Sequence, residues 1–154
     1  MPAVPYSSLT VGVPREIFPD ERRVALTPQN VALLLKKGIS RVLIERGAGD
    51  GAQLFDQAYE QAGATLVDQA TVWSQSNIVL KVRSPQENGT FNEVEALSQG
   101  STIMSFLYPA QNKQLVDNIS SRGATSFAMD LIPRISRAQV FDALRYVVRF
   151  GGPC

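Results

Sequence analysis

Ile78-Val79-Leu80-Lys81-Val82 is a continuous apolar run with one lysine set inside it. A strand with one wet face alternates apolar and polar residues; unbroken apolarity over five positions is the pattern of a strand covered on both faces, as in a parallel sheet. Similar short runs lie on either side. Leu9 to Val13 leads to Pro14, and Arg41 to Glu45, Thr65 to Val67, Thr102 to Leu107 and Thr125 to Met129 read as further strands.

Helical segments separate them. Thr27-Pro28 supplies an N-cap with proline at the first helical position; Val31, Leu34 and Leu35 form the apolar stripe, Lys36 and Lys37 suit the C-terminal dipole, and Gly38 closes the helix. Asp56 to Ala62, Asp68 to Gln75 and Asn112 to Ser121 predict three more. Thr90 with Glu93 spells a capping box and predicts a helix through Val94 and Leu97 to Gly100. Strands alternating with helices define an α/β fold of three layers, a mostly parallel sheet with helices on both faces and right-handed crossovers. Gly47-Ala48-Gly49-Asp50-Gly51 follows the second strand but lacks the G-x-G-x-x-G spacing, and no such fingerprint occurs elsewhere in the chain, so a tight turn is the reading.

Composition narrows the chemistry. The 154 residues are 44% hydrophobic and 19% charged, which suits one globular domain with its own core. The net charge of +1 and the dispersed Lys and Arg residues argue against a nucleic-acid partner or a polybasic membrane surface. The chain contains no histidine and one cysteine, Cys154, so His-based triads, His-ligated metals, internal disulfides and Cys-rich zinc sites are all excluded. No metal is expected. Met1 to Thr10 shows neither a secretory signal nor a transit peptide, and no apolar run is long enough to span a bilayer, so an intracellular chain without direct membrane insertion is expected.

The chemistry-bearing residues gather near the C-terminus, in Met129-Asp130-Leu131-Ile132-Pro133-Arg134-Ile135-Ser136-Arg137-Ala138-Gln139-Val140-Phe141-Asp142-Ala143-Leu144. Ile132 precedes a proline and is biased to extended geometry, while Ser136 with Gln139 makes a capping box that starts a helix at about Ser136. Val140, Leu144, Val147 and Val148 mark its apolar stripe; Gln139, Asp142, Arg145 and Arg149 mark a polar one beside it. Arg134, Gln139 and Asp142 thus converge after a strand, where open α/β sheets bind ligands. Each also has a plain structural role open to it: Gln139 completes the cap, Asp142 complements the helix N-terminus, and Arg134 is solvated. Lys81 within its apolar strand must find a carboxylate, a ligand or water.

This segment resembles a signature of the NAD(H)-binding component of proton-translocating NAD(P)+ transhydrogenases, a family related to alanine dehydrogenase. Further pieces agree in order: Gly12-Val13-Pro14-Arg15-Glu16, Glu21-Arg22-Arg23-Val24-Ala25-Leu26-Thr27-Pro28, Glu45-Arg46-Gly47-Ala48-Gly49, Ala62-Gly63-Ala64, Leu80-Lys81-Val82-Arg83 and Ser105-Phe106-Leu107-Tyr108-Pro109-Ala110-Gln111-Asn112. The resemblance implies a Rossmann-like N-terminal domain without the glycine fingerprint over residues 9–144, preceded by a flexible 1–8 and followed by a divergent tail, 145–154. It implies that Arg134 and Asp142 hold the nicotinamide end of NAD(H) and that Gln139, the catalytic candidate, helps bring that ring against NADP(H) on another component. Such hydride transfer needs ring positioning and no general acid or base, so a histidine-free chain suits it.

In the alanine dehydrogenase branch, positions matching Arg23 and Lys81 hold a keto acid, which makes both ligand-facing candidates; an internal ion pair is an equal alternative. That branch carries a histidine where this chain has Tyr108, which argues against alanine dehydrogenase activity and leaves Tyr108 as a third ligand-facing candidate. The family also has a serine where this chain has Arg145. The expectation is a fragment of a transhydrogenase lacking its Rossmann, membrane and NADP-binding parts, inactive alone and binding NAD(H) weakly. Its expected partners are the other transhydrogenase components and, in the intact family, a second copy; the intact enzyme sits at the inner mitochondrial or bacterial plasma membrane. A non-catalytic module that associates with transhydrogenase subunits, or an alanine dehydrogenase-like oxidoreductase, are the alternatives.

Overall fold

A computed structural model describes residues 4–132. Six strands form one sheet: β1 Thr10–Val13, β2 Arg41–Glu45, β3 Thr65–Val67, β4 Ile78–Arg83, β5 Thr102–Phe106 and β6 Thr125–Ala128. Among the described residues four helices accompany them: α1 Pro28–Lys36, α2 Asp56–Gln61, α3 Gln69–Gln75 and α4 Lys113–Ser121. The strand order is β3-β2-β1-β4-β5-β6, and every neighbouring pair is parallel. Strand order therefore reverses between β1 and β4, and the crevice at the carboxyl ends of those two strands is where a fold of this winding takes its ligand.

Both faces of β1 and β2 are covered, and side-chain alternation along β2 shows how. Val42 and Ile44 point to one face with Val31 of α1 and Tyr59 of α2, while Leu43 points to the other with Val72 and Trp73 of α3 and Ile119 of α4. Each large side chain withdrawn from water in this way contributes about 1.5–3 kcal/mol. Tyr59 is fully buried and donates its hydroxyl to the Leu26 carbonyl at 2.7 Å; burial pushes its phenol up to about 12.

Local signals place the helix starts. Thr27 accepts the Asn30 N–H as N-cap of α1, and Asp68 accepts the Thr71 N–H as N-cap of α3. The turn after β2 is tight: Gly47 has φ +72°, and a side chain on Gly49 would meet the Leu54 carbonyl oxygen at 2.2 Å.

One expected helix is absent. Residues 84–101, which carry the Thr90/Glu93 capping box, form a chain of turns with a single antiparallel bridge between Glu87 and Asn92. Asn88 accepts the Thr90 and Phe91 N–H groups and Asn92 accepts those of Val94 and Glu95, so side chains rather than helical carbonyls satisfy these donors. Glu93 does not cap anything: its carboxylate turns into the core to meet Lys81. Val94 and Leu97 are nevertheless buried as their apolar spacing requires.

Candidate functional site

Charged side chains crowd the carboxyl ends of β1 and β4. The segment after β1 brings in Glu16, whose Oε1 accepts the Val82 N–H at 2.6 Å and whose Oε2 accepts the Arg83 N–H at 3.3 Å. The ammonium of Lys81 lies 3.2 Å from Glu16 Oε2 and 3.0 Å from Glu93 Oε1, and its side chain is 0% exposed. The second oxygen of Glu93 accepts the Gln86 N–H at 2.8 Å. Two carboxylates thus share one buried cation. Burial raises the Glu93 carboxyl above its ordinary range, opposed chiefly by the attraction of Lys81.

A second ion group lies beside the first. Arg23 donates Nε to Glu21 Oε1 at 2.7 Å and Nη2 to Oε2 at 2.6 Å, a two-pronged pair, and Arg83 Nε adds a third bond at 2.7 Å. The hydrogen bond from Arg23 is the main reason that the Glu21 carboxyl is held down at about 2. Arg83 also lies over the Phe18 ring, 4.6 Å from its centroid.

Beside these ions the sheet surface is apolar. Leu80, Met104, Phe106 and Met129, with Val24 and Ala25, line a hollow of about 380 Å³ in which, among the described residues, Arg23 and Lys81 are the charged lining residues. Tyr108 follows β5 and is 37% exposed, its ring 6.4 Å from that of Phe106. Arg23, Lys81 and Tyr108 therefore all stand at the carboxyl edge of β4 and β5, with Lys81 turned inward to its two carboxylates. Arg134, Gln139 and Asp142 lie outside the described residues. Among the described residues no cluster of His, Cys, Asp or Glu is arranged to hold a metal, and no helix is long and apolar enough to cross a membrane.

A lysine inside an apolar strand requires a partner, but the residues around Lys81 in the chain do not say which. Glu16 and Glu93 carried no local signal for that role, and Asp130, which accepts the Leu107 and Tyr108 N–H groups, carried none either.

Comparison with known proteins decides the ancestry. Residues 12–150 match the sequence model of the family described as alanine dehydrogenase/PNT, N-terminal domain. The chain belongs to that family. Within the alanine dehydrogenase/PNT N-terminal domain family, the chain is 43% identical over 145 residues to the NAD(P) transhydrogenase subunit alpha of Cereibacter sphaeroides, covering 94% of this chain and 27% of that protein. The solved transhydrogenase from Sinorhizobium meliloti superposes with a TM-score of 0.80 at 35% identity, over 88% of this chain and 39% of that one. A solved L-alanine dehydrogenase superposes at 0.75 with 32% identity, over 84% and 34% respectively. The chain thus spans between a quarter and two fifths of these relatives, and the two solved structures share its α/β fold.

Proposed function

We propose that this chain forms the front part of a NAD(P) transhydrogenase alpha subunit and presents the nicotinamide end of NAD(H) for hydride transfer to NADP+ held by another component. The observation that carries this reading is the 43% identity across 94% of the chain to such a subunit. The hollow between Met104, Phe106 and Met129 fits a flat ring: its walls are apolar and its charged rim, Arg23, stands to one side. A pyrophosphate fits less well. At the switch point, where a dinucleotide fold offers backbone N–H groups to phosphate, the Val82 and Arg83 N–H groups already bond the chain's own Glu16 carboxylate.

Arg134 and Asp142 would hold the ring's carboxamide and Gln139 would bring the two nicotinamides together, roles taken from the family. The cofactor supplies the hydride; the chain's residues orient the ring and exclude water from it. Its partners would be the remaining transhydrogenase components and a second copy, in an assembly at a bacterial plasma or inner mitochondrial membrane. A stand-alone amino-acid dehydrogenase is the weaker reading, because Lys81 is spent on Glu16 and Glu93.

Replacing the matching part of the Cereibacter sphaeroides subunit with residues 9–144 of this chain tests the proposal. Transhydrogenation by the assembled chimera is the expected result. A chimera that assembles and binds both cofactors yet transfers no hydride would sink it.

A further inference from the structure

We propose that Asp130 is a positioning residue whose carboxylate sets Tyr108 at the rim of the apolar hollow, where Tyr108 meets the cofactor ring; the second half of this statement rests on the transhydrogenase reading above. The backbone of Tyr108 is in the left-handed region, with φ +48°. A bulky aromatic residue adopts that conformation only when its surroundings impose it.

The bonds that impose it come from two directions. From within the turn, the Tyr108 carbonyl accepts the N–H groups of Gln111 and Asn112, each at 3.0 Å, and Asn112 Nδ2 donates to the Leu107 carbonyl at 2.8 Å. From the neighbouring strand's end, Asp130 Oδ1 accepts the Leu107 N–H at 2.8 Å and the Tyr108 N–H at 3.2 Å. A charged acceptor makes this the stronger clamp. Asp130 sits in the single 3-10 turn Met129–Leu131 that follows β6, and its neighbour Met129 lines the hollow together with Phe106. The same carboxylate therefore holds the exit of β5, the exit of β6 and the aromatic pair Phe106–Tyr108 in one arrangement.

The test follows backbone and ring signals of the full 154-residue chain by NMR, with NADH as the probe. In Asp130→Ala the amides of Leu107 and Tyr108 should exchange with solvent about tenfold faster or more, while those of β1 to β4 keep their protection. Asp130→Asn, which retains an acceptor oxygen at the same place, should recover most of that protection. Millimolar NADH should shift the Tyr108 ring signals in the wild-type chain and in Asp130→Asn, and several-fold less in Asp130→Ala. Unchanged exchange at Leu107 and Tyr108 in Asp130→Ala, or an equal Tyr108 response to NADH in that variant, overturns the positioning role. A Tyr108 ring that ignores NADH in the wild-type chain overturns the nicotinamide reading of this face instead, whatever the exchange rates show.

Discussion

Lys81 is the cation on which the carboxyl ends of β1 and β4 meet, since its ammonium joins Glu16 from one connection and Glu93 from another. Removing one member of a buried ion group leaves its partners charged and unsolvated, which destabilises by about 3–5 kcal/mol. Lys81→Met should show that loss as a lower urea midpoint with little change in slope. A shift no larger than that of a surface substitution would contradict the burial of the triad. Glu93→Gln should behave differently because two carboxylates compete for one cation. Burial raises the Glu93 carboxyl above the ordinary 4.5, so its contribution is fully present below that value and is lost as pH rises through its folded value. Wild-type stability, measured against Glu93→Gln, should therefore decline as the solution is taken upward from pH 4.5. Parallel stability curves for the two proteins would rule this out. A lysine flanked by apolar residues announced that some partner exists, and nothing in its neighbourhood said which, because Glu16 lies on another connection entirely.

The packing of β1 on α3 depends on the absence of a side chain at Gly12. A Cβ there would stand 1.9 Å from Ser76 Oγ, 2.8 Å from Ser76 Cβ and 3.1 Å from Val72 Cγ2. Rotating the Ser76 hydroxyl away relieves only the first contact and breaks its 2.6 Å bond to the Val72 carbonyl. Gly12→Ala should destabilise the fold by about 1–3 kcal/mol through overpacking, and adding Ser76→Gly should restore part of the loss. A double-mutant cycle by urea unfolding reads the coupling, and strict additivity would disprove the contact. Sheet strands and four of the five helices expected among the described residues follow from spacing and caps, which are local; the helix expected from about Ser136 lies outside those residues. The segment 84–101 does not follow from them, because Thr90-x-x-Glu93 has the pattern of a capping box whether Glu93 serves a helix or a distant lysine. A buried ion pair and satisfied asparagine turns outweigh a helix that would need the same glutamate on its surface.

For the molecule as a whole, the reversal of strand order between β1 and β4 creates the crevice, and the Glu16 carboxylate takes up the Val82 and Arg83 N–H groups at its edge. Titration of the purified chain with NADH, followed by nicotinamide fluorescence, should accordingly show no saturation in the low micromolar range. A few contacts at the ring end seldom offset the immobilisation of a flexible dinucleotide. Tight saturable binding would mean that the pyrophosphate has a site in this chain after all. The α/β class, the strand order along the chain and the burial of both faces of β1 and β2 were determined by the sequence itself, because apolar period, caps and turn residues act over a few positions and repeat along the chain. Family membership was equally legible, from short motifs kept in order. What only the tertiary structure decided is which charges pair and which backbone is held under strain: Glu16 reaches Val82 across 66 positions and Asp130 reaches Leu107 across 23. Such contacts are chosen by the sheet that brings their ends together, and a one-dimensional pattern carries no term for that proximity.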